Sequence, residues 1–422
     1  MSLRRAWNRW WFGPIASQSL GLFRLVFGLL VLAYGLLLFP DRVLWFSDRG
    51  IFTAAQSDAY NQWLGPAPRI DLLHGAVSDA WLTVFFVIFL IAALGLTLGL
   101  WTRVSSLIVF VCLASLHNRN SAIHNSGDMV MMVMSAYLLL SPAGAACSLD
   151  RLGRIFKGRE GDEPPPIIPW AQRLMQLQVA AIYATTSLSK LQGARWRDGM
   201  AAYYPLHLPD SARFPVPWSD QLWMIHLLTW GTIAVELSLW TLIWVPRLRL
   251  WVLAAGVLLH LGIEYSLNIP LFSFLMITSY LVFVRARDLQ NFVRWMQKPL
   301  LTARLRLVYD GHCDFCRSSL LVVRFLDVFR LITLLDYHQP AQLVQAPEVK
   351  FEDADKAVIA VNPQGRQWAG FYAWRCLCWR LPALWLLAPF GYFPGVPWLG
   401  RRAYAWVARN RSRLPVAKRY AA

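Results

Sequence analysis

The chain has 422 residues, of which 57% are hydrophobic and only 15% charged. Soluble domains carry about 25% charged residues, so the composition argues against a wholly soluble protein. The formal net charge of +17 does not call for nucleic acid, because the basic residues lie between apolar stretches and near the C-terminus. That is the distribution of a positive-inside membrane topology in contact with anionic lipid. The 22 tryptophans fit interfacial aromatic belts.

In chain order, the basic start Met1-Ser2-Leu3-Arg4-Arg5 runs into an apolar stretch long enough to span. No short apolar core with a small-residue cleavage site follows, so the sequence predicts an anchor and not a cleaved leader. A span needs roughly 17–25 mostly apolar residues. About eight are predicted, at 20–39, 81–100, 104–116, 129–146, 174–191, 222–245, 250–262 and 267–284. Eight spans place Arg4, Arg5, Arg9, Arg103, Arg151, Arg154, Lys157, Arg159, Arg247, Arg249, Arg285 and Arg287 on one side. That side is then cytoplasmic, with both termini there, in a bacterial-type inner membrane. The loop 161–166 reads as a flexible connector.

Near residue 301 the character changes. Residues 305–309 and 331–335 read as strands, with a helix over 316–329 between them. A further strand over 357–361 enters the turn Asn362-Pro363-Gln364-Gly365, and 372–379 reads as a helix. The predicted fold is therefore a polytopic α-helical membrane domain, 1–300, followed by a small α/β domain, 301–422.

The first of these strands delivers Asp310-Gly311-His312-Cys313-Asp314-Phe315-Cys316 to the start of a helix. Free N–H groups and partial positive charge at a helix N-terminus stabilise a thiolate. Cys313 is the expected attacking thiol, Cys316 one turn on the resolving one, and Asp310 and His312 tune the pair. An alternative is a zinc site completed by Cys376 and Cys378; no metal is expected, because those two diverge on an apolar helix. The motif resembles the DCC family of thiol–disulfide oxidoreductases, as do Ala357-Val358-Ile359-Ala360-Val361 and the closing Arg402-Ala403-Tyr404-Ala405-Trp406-Val407-Ala408-Arg409-Asn410-Arg411. The resemblance implies a thioredoxin-like domain. No proline directly precedes 357–361, where thioredoxin-like domains usually hold one in cis.

Polar residues inside apolar spans are costly and mark functional sites. Lys190 ends one span, and Glu236 lies within another. His117, Asn118, Arg119, Asn120, His124, Asn125 and Asp128 cluster between two spans, and His260 and Glu264 are one helical turn apart. Lys190-Leu191 with Trp196 and Gly199, the region 117–150, and His260 with Leu271-Phe272-Ser273-Phe274 resemble the HTTM domain, related to vitamin K-dependent γ-glutamyl carboxylase. The resemblance implies that Lys190 is a base towards a reduced quinone and that His260 belongs to the same site. His124, Asp128 and Glu264 are the other candidate cofactor-binding residues. From spacing alone, the favoured reading is that Lys190 reaches the outer interface and pairs with Asp198 or lipid phosphate; the resemblance brings the two readings level. The carboxylase holds its peptide in a large lumenal domain that this chain lacks.

These features predict a membrane redox protein with a cytoplasmic dithiol domain and an outward-facing polar pocket, for which quinone is the candidate cofactor. The expected partners are membrane lipids, a thiol or disulfide partner, and other subunits of a membrane complex. Two rival readings are a carboxylase- or epoxidase-like enzyme using Lys190 as base, and a non-catalytic structural subunit.

Overall fold

The computed structural model describes residues 2–63, 65, 69–75, 77–418 and 420. The chain divides into two compact units: residues 1–150 with 165–285, and residues 151–164 with 286–422. This differs from a single cut at 300. The segment expected to be a flexible connector is folded into the second unit. There Arg151 donates to the carbonyls of Gly161 and Asp162 at 3.0 and 2.7 Å, and Arg324 lies 3.6 Å from Asp162.

Helices occupy all eight apolar stretches of the first unit: Gln18–Leu38, Asp79–Leu98, Thr102–Arg119, Ser126–Leu140, Trp170–Gln192, Leu222–Thr241, Arg249–Ser266 and Phe272–Ser279. Among the described residues, three helices are long and apolar enough to cross a membrane: Gln18–Leu38, Asp79–Leu98 and Leu222–Trp244. Ser126–Leu140 and Phe272–Phe283 are shorter apolar helices.

Asp79–Leu98 shows the apolar character of these helices. Leu82, Phe85, Phe86, Phe89, Ala93 and Leu96 are buried on one face. Val84, Val87, Ile88 and Ile91 form an apolar stripe on the other, and Ile91 is 66% exposed. A helix that is apolar all round belongs inside a protein or against a bilayer. Ser78 caps its start, accepting the Trp81 N–H at 3.2 Å. At its far end the guanidinium of Arg24 is fully buried and donates to the carbonyls of Leu96, Thr97 and Cys147. A charge inside an apolar helix is tolerated because those otherwise orphaned carbonyls engage it. Asp150 caps Thr102–Arg119, accepting the Trp101 and Thr102 N–H groups at 2.8 Å each.

In the second unit four strands form one sheet. Leu305–Tyr309 pairs in parallel with Ile332–Asp336 and antiparallel with Ile359–Val361, which pairs antiparallel with Gln367–Ala369. The helix Asp314–Leu326 makes the parallel crossover. On one side, Leu305, Leu307, Leu320, Val323, Ala360, Ala373 and Leu377 form a core; Val308, Leu335, Ala346 and Ile359 belong to a second. This is the small α/β unit expected from the sequence.

Candidate functional site

The dithiol is built by the turn between the first strand and its helix. Cys313 occupies the N-cap position, and its sulfur accepts the Cys316 N–H at 3.2 Å. Gly311 permits the turn: its N–H donates to Asp336 Oδ1 at 3.1 Å, and a Cβ there would fall 2.1 Å from Asp336 Oδ2. Asp310 is held from three sides. Its Oδ1 accepts the His312 N–H at 3.0 Å and lies 3.1 Å from His338 Nε2, while Arg411 approaches Oδ2 at 3.3 Å. The His312 and His338 rings stack with centroids 3.8 Å apart.

This arrangement separates the two thiols. Cys313 is lowered to about 6, first by the hydrogen bond from the Cys316 thiol, then by the Cys316 N–H and the charge of Arg411; partial burial and Asp310 act against this. The same hydrogen bond, followed by burial, pushes Cys316 up. One sulfur is therefore a ready nucleophile, while the other keeps its proton until a mixed disulfide forms.

Cys376 is buried in the core beside Arg380, whose Nη1 lies 3.3 Å from its sulfur, and burial raises the thiol pKa of both Cys376 and Cys378. No group of three or more His, Cys, Asp or Glu positioned for a metal occurs among the described residues. At pH 7, Cys313 is expected to alkylate at least about tenfold faster than Cys376 or Cys378. Peptide mass mapping after brief iodoacetamide treatment checks this, and equal labelling would contradict it.

The first unit holds a separate polar cluster. Tyr183, Ser187 and Lys190 follow one face of Trp170–Gln192, at helical spacing. Lys190 forms an ion pair with Glu236 and lies 4.9 Å over the Trp196 ring. It does not pair with Asp198, which instead lies 3.3 Å from Arg195. The Tyr183 hydroxyl lies 2.7 Å from His260 Nε2 and 2.6 Å from the Tyr280 hydroxyl, and Trp240 donates to Ser187 Oγ at 3.1 Å. Glu236 Oε2 and His260 Nδ1 are buried without a hydrogen-bond partner.

Three other candidates have partners of their own. Glu264 pairs with Arg213, so being one turn from His260 does not make the two a unit. Asp128 accepts the Asn125 N–H at 2.6 Å and completes a capping box for Ser126–Leu140. His124 packs against the buried His117 with ring centroids 4.1 Å apart. Much of the surrounding polar loop is scaffolding: Arg119 reaches the Phe52 carbonyl at 3.0 Å and Asp48 at 3.2 Å, and Asn120 donates to the Trp45 carbonyl at 2.8 Å.

Sequence reasoning missed His338 as the Asp310 partner, Arg411 as the cation beside the dithiol, and Tyr183 and Tyr280 as partners around His260. A carboxylate inside a span was a readable signal for Glu236; its partner, 46 residues away, was not.

Comparison with known families identifies the two domains in which these residues lie. A model described as the HTTM domain matches residues 12–287, and one described as a DCC1-like thiol-disulfide oxidoreductase matches residues 307–417. No curated protein and no solved structure matches the chain. With its apolar helices and its dithiol unit, the chain belongs to the HTTM domain family and carries a DCC1-like thiol-disulfide oxidoreductase domain after it.

Proposed function

We propose that this is a bacterial-type inner-membrane thiol–disulfide oxidoreductase whose dithiol domain and two termini are cytoplasmic. The observation that carries the reading is the Cys313 thiol at a helix N-cap, brought to about 6 beside a Cys316 that keeps its proton. Cys313 attacks a disulfide and Cys316 resolves the mixed disulfide. The sheet order, with the crossover strand at one edge and two antiparallel strands at the other, supports a thioredoxin-like unit. In a glutathione buffer of varied ratio, the pair is expected to cycle reversibly between dithiol and disulfide. Stoichiometric zinc released only by removing Cys313 or Cys316 would overturn the reading.

The orientation rests on the Lys and Arg asymmetry across eight spans. A cysteine introduced near Arg409 is expected to resist impermeant thiol reagents applied from the periplasmic side. Labelling there would require an odd number of spans.

The polar cluster around Tyr183 supports a second role, an outward-facing quinone pocket. Its support is the chain of Glu236, Lys190, Tyr183, His260 and Tyr280, with two buried polar atoms still unpartnered. Organic extraction of the natively purified protein is expected to release a quinone, and less of it from His260→Ala. Fixed-ratio copurification of other subunits with no quinone would favour a structural subunit instead.

A further inference from the structure

The dithiol unit holds a cleft with a chemistry of its own. It has a volume of about 430 Å³ and is lined by Phe315, Val358, Phe371, Trp374, Ala403 and Tyr404, with Cys316 opening onto it. Volumes of roughly 300–1,000 Å³, mainly apolar with a few polar groups, are those of small-molecule sites. Two tertiary contacts shape its walls. The Val358 N–H donates to the Tyr404 hydroxyl at 3.0 Å, tying the helix Val396–Asn410 to the strand region. Gly400 lets that helix approach Phe371; a Cβ there would fall 2.2 Å from the ring.

Four charged residues also border the cleft: Asp310, Asp355, Lys356 and Arg411. Asp310, Asp355 and Arg411 are already engaged, while Lys356, 75% exposed, only reaches the margin of an ion pair. Arg411 faces Asp310 at 3.3 Å, Asp355 accepts the Tyr337 hydroxyl at 2.9 Å, and Lys356 lies 4.0 Å from Asp353. A carboxylate placed beside the thiols would have to draw Arg411 from Asp310 to be held. A neutral alkyl or aryl group needs only to displace water from the aromatic walls, which is favourable.

We infer that this cleft takes the apolar substituent of a small, neutral disulfide or dithiol, and so selects such compounds over charged peptide thiols. The inference rests on the dithiol reading given above. The Cys313 thiolate attacks one sulfur of R–S–S–R, forming a Cys313–S–S–R bond and releasing RS⁻, which takes a proton from water. Cys316 then loses its proton to water and attacks the Cys313 sulfur. The second RS⁻ leaves and is protonated. Two electrons pass from the protein dithiol, which becomes a disulfide, to the small disulfide, which becomes two thiols. The reverse reaction uses the same groups.

The test uses the full-length reduced protein in lipid nanodiscs. Oxidation of the Cys313–Cys316 pair is timed with dibutyl disulfide, bis(2-hydroxyethyl) disulfide and glutathione disulfide. Each rate is normalised to the same compound's rate with free N-acetylcysteine. The dibutyl compound is expected to exceed the hydroxyethyl one by on the order of tenfold, the discrimination available from a few buried methylenes, with glutathione disulfide slowest. Ala403 is exposed on its helix, so Ala403→Trp fills the cleft and Ala403→Glu charges it without disturbing a core. Both are expected to abolish the preference while leaving iodoacetamide alkylation of Cys313 unchanged. Equal normalised rates for the three disulfides, fastest reaction with glutathione disulfide, or a preference that survives both variants would overturn the inference. Failure of all three to oxidise the pair would overturn the dithiol reading itself.

Discussion

Cys316→Ala is expected to slow alkylation of Cys313 by about tenfold at pH 7 and to have little effect at pH 9.5. The hydrogen bond from the Cys316 thiol is the first cause of the low Cys313 value of about 6. A cysteine titrating near 6 is about nine-tenths thiolate at pH 7, whereas an ordinary one near 8.5 is only about 3% thiolate. A more basic thiolate is intrinsically more nucleophilic, which offsets part of that difference. Removing the donor raises the Cys313 value, so the rate profile moves to higher pH, and the two proteins converge once both are fully ionised. Arg411→Gln is expected to move the profile the same way by a smaller amount, because Arg411 acts only by its charge and Asp310 beside it acts in the opposite direction. Iodoacetamide rates measured from pH 5 to 9.5 give the comparison. An unchanged midpoint in Cys316→Ala would show that the Cys316 thiol does not set the Cys313 thiolate, and the account of the paired thiols would fall.

Glu236→Ala is expected to destabilise the membrane unit by about 3 kcal/mol, the low end of the cost of orphaning one partner of a buried ion pair. The low end applies because the Lys190 side chain retains 21% exposure, against 9% for Glu236. The loss arises chiefly from leaving an ammonium without its counter-charge in apolar surroundings. A Lys190→Met, Glu236→Leu double variant removes both charges and is expected to recover most of the loss. Pulse proteolysis in nanodiscs measures both proteins. If the double variant were as unstable as the sum of its single changes, the two residues would not be acting as a pair. Neither variant is expected to alter thiol exchange at Cys313, because the residues that set its thiolate, Cys316, Arg411 and Asp310, belong to the second unit.

Local pattern determined the elements. The apolar runs became helices because a chain in an apolar setting must satisfy its own backbone, and a helix does so within one segment. Short β-rich runs around Cys313 became strands, and the spacing of Cys313 and Cys316 put one thiol at a helix cap with the other a turn inside. The dithiol was legible in the sequence because its chemistry lies within a few consecutive residues. The partners were not. Lys190 faces Glu236 rather than Asp198, and His260 meets Tyr183 and Tyr280 rather than Glu264. Asp310 sits between His338 and Arg411, far apart in the chain. Sequence spacing fixes which side chains share a helix face, but which face meets which is settled by packing, where burying a charge is tolerated only if a partner arrives from another element. Only the tertiary structure could decide that the 151–164 segment joins the dithiol unit and that the exposed flank of Cys316 is an apolar cleft.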